Sequence, residues 1–434
     1  MAELGDADTR SMSHPDKRPQ ALRRFALALA ARGEELCAEL SADLQLAHGE
    51  LLHEQLPLAR AALEAWAAPG AGDPAVRVGE RRAAGAVALQ LDPLALLPDL
   101  CRVMPAAFLA GVPQILVNTD PAARRTTAQL AALVERCLPG VILSALPAEA
   151  FLRRVAADPY TQAVWIGGAA GGVVGLEERL RATGAPITWE QAGNHALVVG
   201  RSADLGAAAR AAASAFRLGG HDRARVGRVY VHADRHEALV AAICAEAAAR
   251  AVEDPTDPAA MVSPLRADAD RLALLEMLDE AEDTGASLDV GLDFRRFREG
   301  SEPVLYPTVV SGCDPELSVV RLSKPGPVLA VVPWTDENAL LEGVGVGAAA
   351  LYSFGVEAPL LARLGAAFGH TFVNQGPDGP AVEAMRQAWG GGPEHCTWRG
   401  AETLRGPIEL QRLFTRPRPA AVAAAPAPGL ALGA

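Results

Sequence analysis

The apolar positions fall into runs whose period changes along the chain. From Gln20 to about Trp66 they recur at helical spacing (Leu22, Phe25, Leu27, Leu29, then Leu36, Leu40, Leu44), which predicts two or three helices. AAPGAGDP (67–74) breaks that pattern, and two short strand-like runs follow, around VRVG and GAVALQL. Short apolar runs then alternate with helical stretches: a helix around 94–110, strand QILV, a helix around 122–136, strand VILSAL, a helix around 147–156, strand AVWIGG, helix VGLEERLRATG and strand ITWE. The theme returns with a helix at 204–217, strand RVYV, helices at 235–251 and 267–284, and strand VLAVVPW. Strands and helices alternating at this spacing predict an α/β fold of parallel sheets with helices on both faces.

Composition narrows the partners. At 434 residues the chain is long enough for two large lobes. Its formal charge of −12, with no Lys/Arg block, argues against nucleic acid. The six cysteines (Cys37, Cys101, Cys137, Cys244, Cys313, Cys396) lie far apart without a C-x-x-C pair, which suits reduced thiols and argues against a disulfide framework or a structural zinc site. The polar start lacks the apolar core of a signal peptide, and no apolar run approaches eighteen residues without a charge or proline. A cytoplasmic protein with no membrane span is the expectation. Residues 1–19 and the Ala/Pro-rich end, 420–434, are expected to be disordered.

Three motifs carry the candidate chemistry. WIGGAAGG (165–172) is a strand end followed by a glycine-rich turn, the arrangement that lets a pyrophosphate approach backbone N–H groups at a helix N-terminus; by itself such a turn is as well explained by packing. ITWEQAGN (187–194) puts a carboxylate, Glu190, at a strand end. ASAFRLGGHDRARVGRVYV (213–231) runs from a small-residue helix through a Gly-Gly turn and four charged or chargeable residues into a strand.

In this order and spacing the three segments resemble the aldehyde dehydrogenase superfamily. EDPTDPAAMVSPLRADADRLALLEMLDEAEDTGASL (253–288), YPTVV (306–310), GPVLAVVPWTDENALLEGV (326–344), FVNQGP and WGGG are similar to later segments of the same family. The resemblance covers roughly residues 20–420. It implies two Rossmann-related lobes, a coenzyme-type lobe at 20–192 and a catalytic-type lobe at 193–385. A return segment at 386–419 would include a small oligomerisation strand, IELQRLFTRPRP, and a homodimer is implied. It also implies an NAD or NADP site with Gly167, Gly168 and Gly172 at the pyrophosphate and Asp120 as the nearest acid for the adenosine ribose, and it places Glu190 on the general base.

Four departures stand against that background. Counting back from RVYV, the family's nucleophilic cysteine falls on Arg223, and Gly220 and His221 replace the Gly-Gln before it. A guanidinium stays protonated and cannot attack a carbonyl. The family's coenzyme lysine falls on Val117 or Asn118, its nicotinamide-ribose glutamate on Ser323, and its W-N-x-P segment becomes QLDP without an asparagine. Thiol-dependent aldehyde oxidation is therefore not expected, although Cys313 stands as a remote alternative nucleophile.

The charged turn then has three readings. It is a solvated surface loop; or a rebuilt site, with Arg223 and Arg225 as a fork for a small anionic metabolite and with His221 and Asp222 moving protons beside Glu190; or the salt-bridge plug of a pseudoenzyme kept for binding or assembly. The sequence barely decides between the last two; the expectation is the repurposed enzyme, with Glu190 as general base and Arg223 in place of the thiol, and the pseudoenzyme is the alternative. Elsewhere, His48, Glu50, His53 and Glu54 read as a solvated helix face, His395–Cys396 as a minor element at the substrate mouth, and His232 with His236 as no metal pair; no metal is expected.

Overall fold

The computed structural model describes residues 17–68, 70–71, 81–83, 85–168, 185–190, 194–289, 294–300, 303–344, 350–368, 370–378, 411 and 414–417. Gly172, the expected helix after it, the VRVG run, WGGG, His395, Cys396 and the Ala/Pro tail lie outside these residues.

Helix α1 (Lys17–Leu44) begins inside the expected lead, so residues 17–19 are helical. Of its apolar positions Leu22, Phe25, Leu29, Leu36 and Leu40 are fully buried, as the helical spacing requires, whereas Leu27, two residues from Phe25 and Leu29, falls on the opposite face and is 72% exposed. A turn follows, and then a helical stretch in three pieces: one turn at His48–Glu50, a π-helical turn at Leu51–Gln55, and helix α2 (Leu56–Ala67).

The first sheet is parallel. Its strands are β2 (Ala86–Gln90), β3 (Gln114–Asn118), β4 (Val141–Ser144), β5 (Thr161–Gly167) and β6 (Ile187–Glu190), in the order β4-β3-β2-β5-β6; β1 (Arg81–Arg82) stands apart. On one face it packs against α1, α2, α3 (Leu96–Ala110) and α4 (Arg124–Cys137); on the other, α5 (Ala148–Ala157) covers Ala88, Val164 and Ile166 with Phe151, Leu152 and Val155. A sheet buried on both faces needs continuous apolar strands, which is why AVALQ and TQAVWIG do not alternate. The stretch Pro93–Ala110 has the length and mean hydropathy (1.4) of a bilayer span, but 72% of it is buried inside the protein, so it serves as a core helix.

The second sheet has seven strands: β7 (His195–Val199), β8 (Val226–His232), β9 (Ser287–Asp289), β10 (Thr308–Ser311), β11 (Val328–Trp334), β12 (Ala350–Phe354) and β13 (His370–Val373). The order is β13-β12-β7-β8-β11-β10-β9, and every pair is parallel except the β9 edge. One apolar cluster lies on each face of this sheet. Strand β14 (Arg416–Pro417), from the segment expected to reach a partner, pairs antiparallel with β1 of its own chain.

Candidate active site

Strands β2 and β3 both leave the first sheet through an Asp-Pro pair. Asp92 accepts from Leu94 N–H at 3.0 Å and Asp120 from Ala122 N–H at 2.8 Å, each capping a short 3-10 turn that proline starts. Because β3 lies on one side of β2 and β5 on the other, the sheet's switch point falls here, where open α/β sheets bind ligands. A crevice of about 320 Å³ opens at this point, lined by Asp92, Thr119, Asp120, Gly167, His221 and Arg266 among others. Asp120 borders the crevice, and its second oxygen is held by Arg266 at 3.1 Å. Asn118 does not face the crevice. It is fully buried and donates to Gln90 Oε1 (2.8 Å) and the Leu146 carbonyl (2.9 Å), and it accepts from Ser144 Oγ (2.8 Å) and Leu146 N–H (3.0 Å), binding three strand ends together.

Beside the crevice, the turn between helix α6 (Leu205–Ala212) and β8 crosses to the first sheet. Leu218, Gly219 and Gly220 all have positive φ (51°, 55° and 83°), which folds the chain back sharply. At Gly220 a side chain has no room, because its Cβ position lies 2.2 Å from the Gly326 carbonyl oxygen. The backbone at 223–224 is then pinned from the second sheet. His195 Nε2 lies 2.9 Å from the Arg223 carbonyl and its Nδ1 accepts from Ala350 N–H at 3.3 Å, while Tyr352 donates to the Ala224 carbonyl at 2.8 Å. Burial pushes the His195 pKa down to about 4, so the ring is neutral and its Nε2–H donates.

The Arg223 side chain is committed. Its guanidinium meets Asp99 with two nitrogens, at 2.7 and 3.4 Å, donates to the Glu190 carbonyl, and lies 3.6 Å from Asp92. Glu190, the expected general base, is 3% exposed and its carboxylate is bound by Arg102. Arg102 is also 3.8 Å from Asp99. Trp165 of β5, fully buried, has the guanidinium groups of Arg102 and Arg223 each 5.8 Å from its ring centroid. Burial would lower the Arg223 pKa, but Asp99 and Asp92 hold it above its ordinary value. Burial pushes Asp99 up, against the pull of Arg223 and Arg102. Asp92 is also buried, yet His221 and Arg223 draw its pKa down to about 2. Three carboxylates and two guanidinium groups therefore form one buried network, with His221 Nδ1 3.5 Å from Asp92 Oδ2 at its edge.

Several expectations are corrected by this geometry. The turn is not a solvated loop: His221, Asp222 and Arg225 are buried. Arg223 presents no open fork to an anion, and neither does Arg225, which is fully buried and donates to the Lys324 (2.7 Å) and Gly326 (3.2 Å) carbonyls. Asp222 is held within its own turn: one oxygen accepts from Ala224 N–H at 2.9 Å and the other lies 3.6 Å from Arg217 Nε. His221 lines the crevice and faces Asp92. The glycine turn is packed from inside. The Cβ position of Gly167 is 2.7 Å from Asp99 Oδ2 and 2.9 Å from Arg223 Nη2, and that of Gly168 (φ 89°) is 2.9 Å from Asp92 Cγ. Cys313 is buried in the second-lobe core and donates to the Val310 carbonyl at 3.2 Å, with its thiol pushed up by burial to about 11. Burial likewise raises Cys37, to about 12, and Cys101. A raised thiol is a poor source of thiolate.

Asp99, Arg102 and Trp165 were missed by the sequence reading. The available signal was one acid and one base, three residues apart, inside the otherwise apolar helix LLPDLCRVMPAAFLA.

Comparison with known proteins agrees with this architecture. The family model described as "Aldehyde dehydrogenase family" matches residues 93–351. A 3,6-anhydro-α-L-galactose dehydrogenase of Streptomyces coelicolor is 28% identical over 213 residues, covering 47% of this chain and 42% of that one. A succinate-semialdehyde dehydrogenase [NADP(+)] of Mycobacterium leprae is 29% identical over 213 residues, covering 48% and 44%. The matched part thus spans less than half the length of these curated relatives. The crystal structure of a succinate-semialdehyde dehydrogenase from Burkholderia pseudomallei superposes with a TM-score of 0.77 at 21% identity, covering 93% of this chain and 84% of that one. With the family model matching more than half of its length, the chain belongs to the aldehyde dehydrogenase family.

Proposed function

We propose that this chain is a non-catalytic member of its family that serves as a binding or assembly subunit and does not oxidise aldehydes through a thiol. The observation that carries this reading is the pairing of Arg223 with Asp99, and of Glu190 with Arg102, at the positions the family resemblance gives to nucleophile and base. Arg223 commits Nε, Nη1 and Nη2 to Asp99 and the Glu190 carbonyl, so its fork is turned inward on protein acceptors and not toward a substrate anion. The rebuilt-enzyme reading, with Arg223 as anion anchor, would require that fork to be open.

The same residues do not fit a nicotinamide dinucleotide poised for hydride transfer. Asp99, Arg223 and Asp92 pack against the Cβ positions of Gly167 and Gly168, and Asp92, its pKa drawn down to about 2, keeps a carboxylate beside the turn. Asp120 is already shared between a turn and Arg266. A homodimer and a cytoplasmic location belong to the same proposal, and both rest on resemblance and composition.

Titration calorimetry with NAD and with NADP tests this reading. No saturable heat is expected for either up to millimolar concentration. Saturable micromolar binding of either would overturn the non-redox reading.

A further inference from the structure

Glu50 was expected on a solvated helix face, yet it is 1% exposed. It lies where the His48–Glu50 turn passes into the π-helical turn Leu51–Gln55, a helical irregularity often found at functional positions. Chain far away in sequence closes over it. Oε1 accepts from Gly219 N–H at 3.1 Å and from Arg250 Nη2 at 3.3 Å, and Oε2 meets Ser263 Oγ at 2.7 Å. Ser263 Oγ in turn accepts from Ala47 N–H at 3.0 Å.

The charges around Glu50 do not balance it fully. Glu54, on the π-helical turn that follows, takes Arg250 Nη1 at 2.8 Å, so two carboxylates share one guanidinium. Arg217, on the 217–220 turn, is engaged by Asp222 and Asp378 and also feels Glu54. Burial, and then Glu54, raise Glu50 to about 7, against the pull of Arg250, Ser263 and the Gly219 amide.

We propose that Glu50 is a proton-controlled latch on the turn carrying His221 and Arg223: protonated, it holds the turn closed, and loss of the proton loosens it. The hydrogen bonds balance in both states. With the proton on Oε2, that oxygen donates to Ser263 Oγ while Oε1 still accepts from Gly219; without it, Ser263 donates to Oε2. What changes is the cost of a second buried charge beside Glu54, and opening the turn relieves that cost by admitting water. Arg223 lies four residues beyond Gly219, where His195 and Tyr352 pin the backbone, so the loosening is expected on the Gly219 side of that anchor.

The sign follows from linkage. A carboxyl whose pKa is higher in the closed state favours that state at low pH and loses the advantage as pH rises through the closed-state value. With Glu50 moving from about 7 closed to 4.5 when solvated, opening should rise roughly tenfold between pH 6 and 8.

Hydrogen-exchange mass spectrometry on the full chain reads this directly, through the peptide spanning Gly219 and after correction for the intrinsic exchange rate. Protection in the unsubstituted protein should fall roughly tenfold from pH 6 to 8. In Glu50→Gln it should stay level, at the value the unsubstituted protein has at low pH. Glu54→Gln should move the fall to lower pH by leaving Arg250 to Glu50 alone, and it serves as the test should Glu50→Gln fail to fold. Level protection in the unsubstituted protein across this range, or a profile that Glu54→Gln leaves in place, would overturn the proposal.

Discussion

Replacing Arg223 with methionine is expected to cost about 3–5 kcal/mol of folding stability, the range for removing one partner of a buried ion pair. Asp99, Asp92 and Glu190 would be left with Arg102 as the one guanidinium of their network, and Asp99 would lose both of its short contacts to Arg223. Adding Asp99→Asn in that background should recover part of the loss, because it removes one of the stranded charges. Chemical denaturation of the two single variants and the double variant gives the coupling energy directly. The sign separates the readings of the site. An arginine held ready for a substrate is strained or solvated in the free protein, and its removal leaves stability unchanged or improved. An Arg223→Met protein as stable as the unsubstituted one would therefore favour a binding role and count against the plug.

The second large effect is expected at Trp165. It is fully buried in the first-lobe core, and its ring separates that core from the two arginines. Truncation to alanine removes packing and leaves a cavity beside charged groups, with an expected loss of about 3–5 kcal/mol. The loss should be concentrated in the first lobe. Hydrogen exchange of helix α3, which carries Asp99 and Arg102, should accelerate while strands β11 and β12 of the second sheet keep their protection. A loss below about 1 kcal/mol, or one spread evenly over both sheets, would mean that the indole does not support the ion-pair network.

Much of the scaffold could be read from the chain because parallel strands buried on both faces are written as plain apolar runs. ITWE and VLAVVPW coincide with β6 and β11 residue for residue, and QILV, VILSAL and RVYV each fall on a strand. The edge strand β9 escaped because SLD is short and half polar. The site was less legible, for a physical reason. Periodicity reports on the neighbours a residue has within its own element, whereas burial of a charge is decided by chain that arrives from elsewhere. Glu50 and Glu54 look like a wet helix face until residues 219, 250 and 263 close over them. Arg225 looks like a free fork until the 324–326 backbone supplies its acceptors. Arg223 could be aligned with the family's nucleophile from sequence, but only the fold shows that Asp99, on a helix 124 residues earlier, is its partner.

The most direct test is turnover itself. The purified protein would be incubated with NAD or NADP and with aldehydes of the kinds named for its relatives, succinate semialdehyde and 3,6-anhydro-α-L-galactose, while the absorbance of reduced coenzyme is followed. No reduced coenzyme above the protein-free blank is expected at any substrate concentration. Saturable formation of NADH or NADPH, proportional to the protein added, would contradict the proposal that this chain does not oxidise aldehydes.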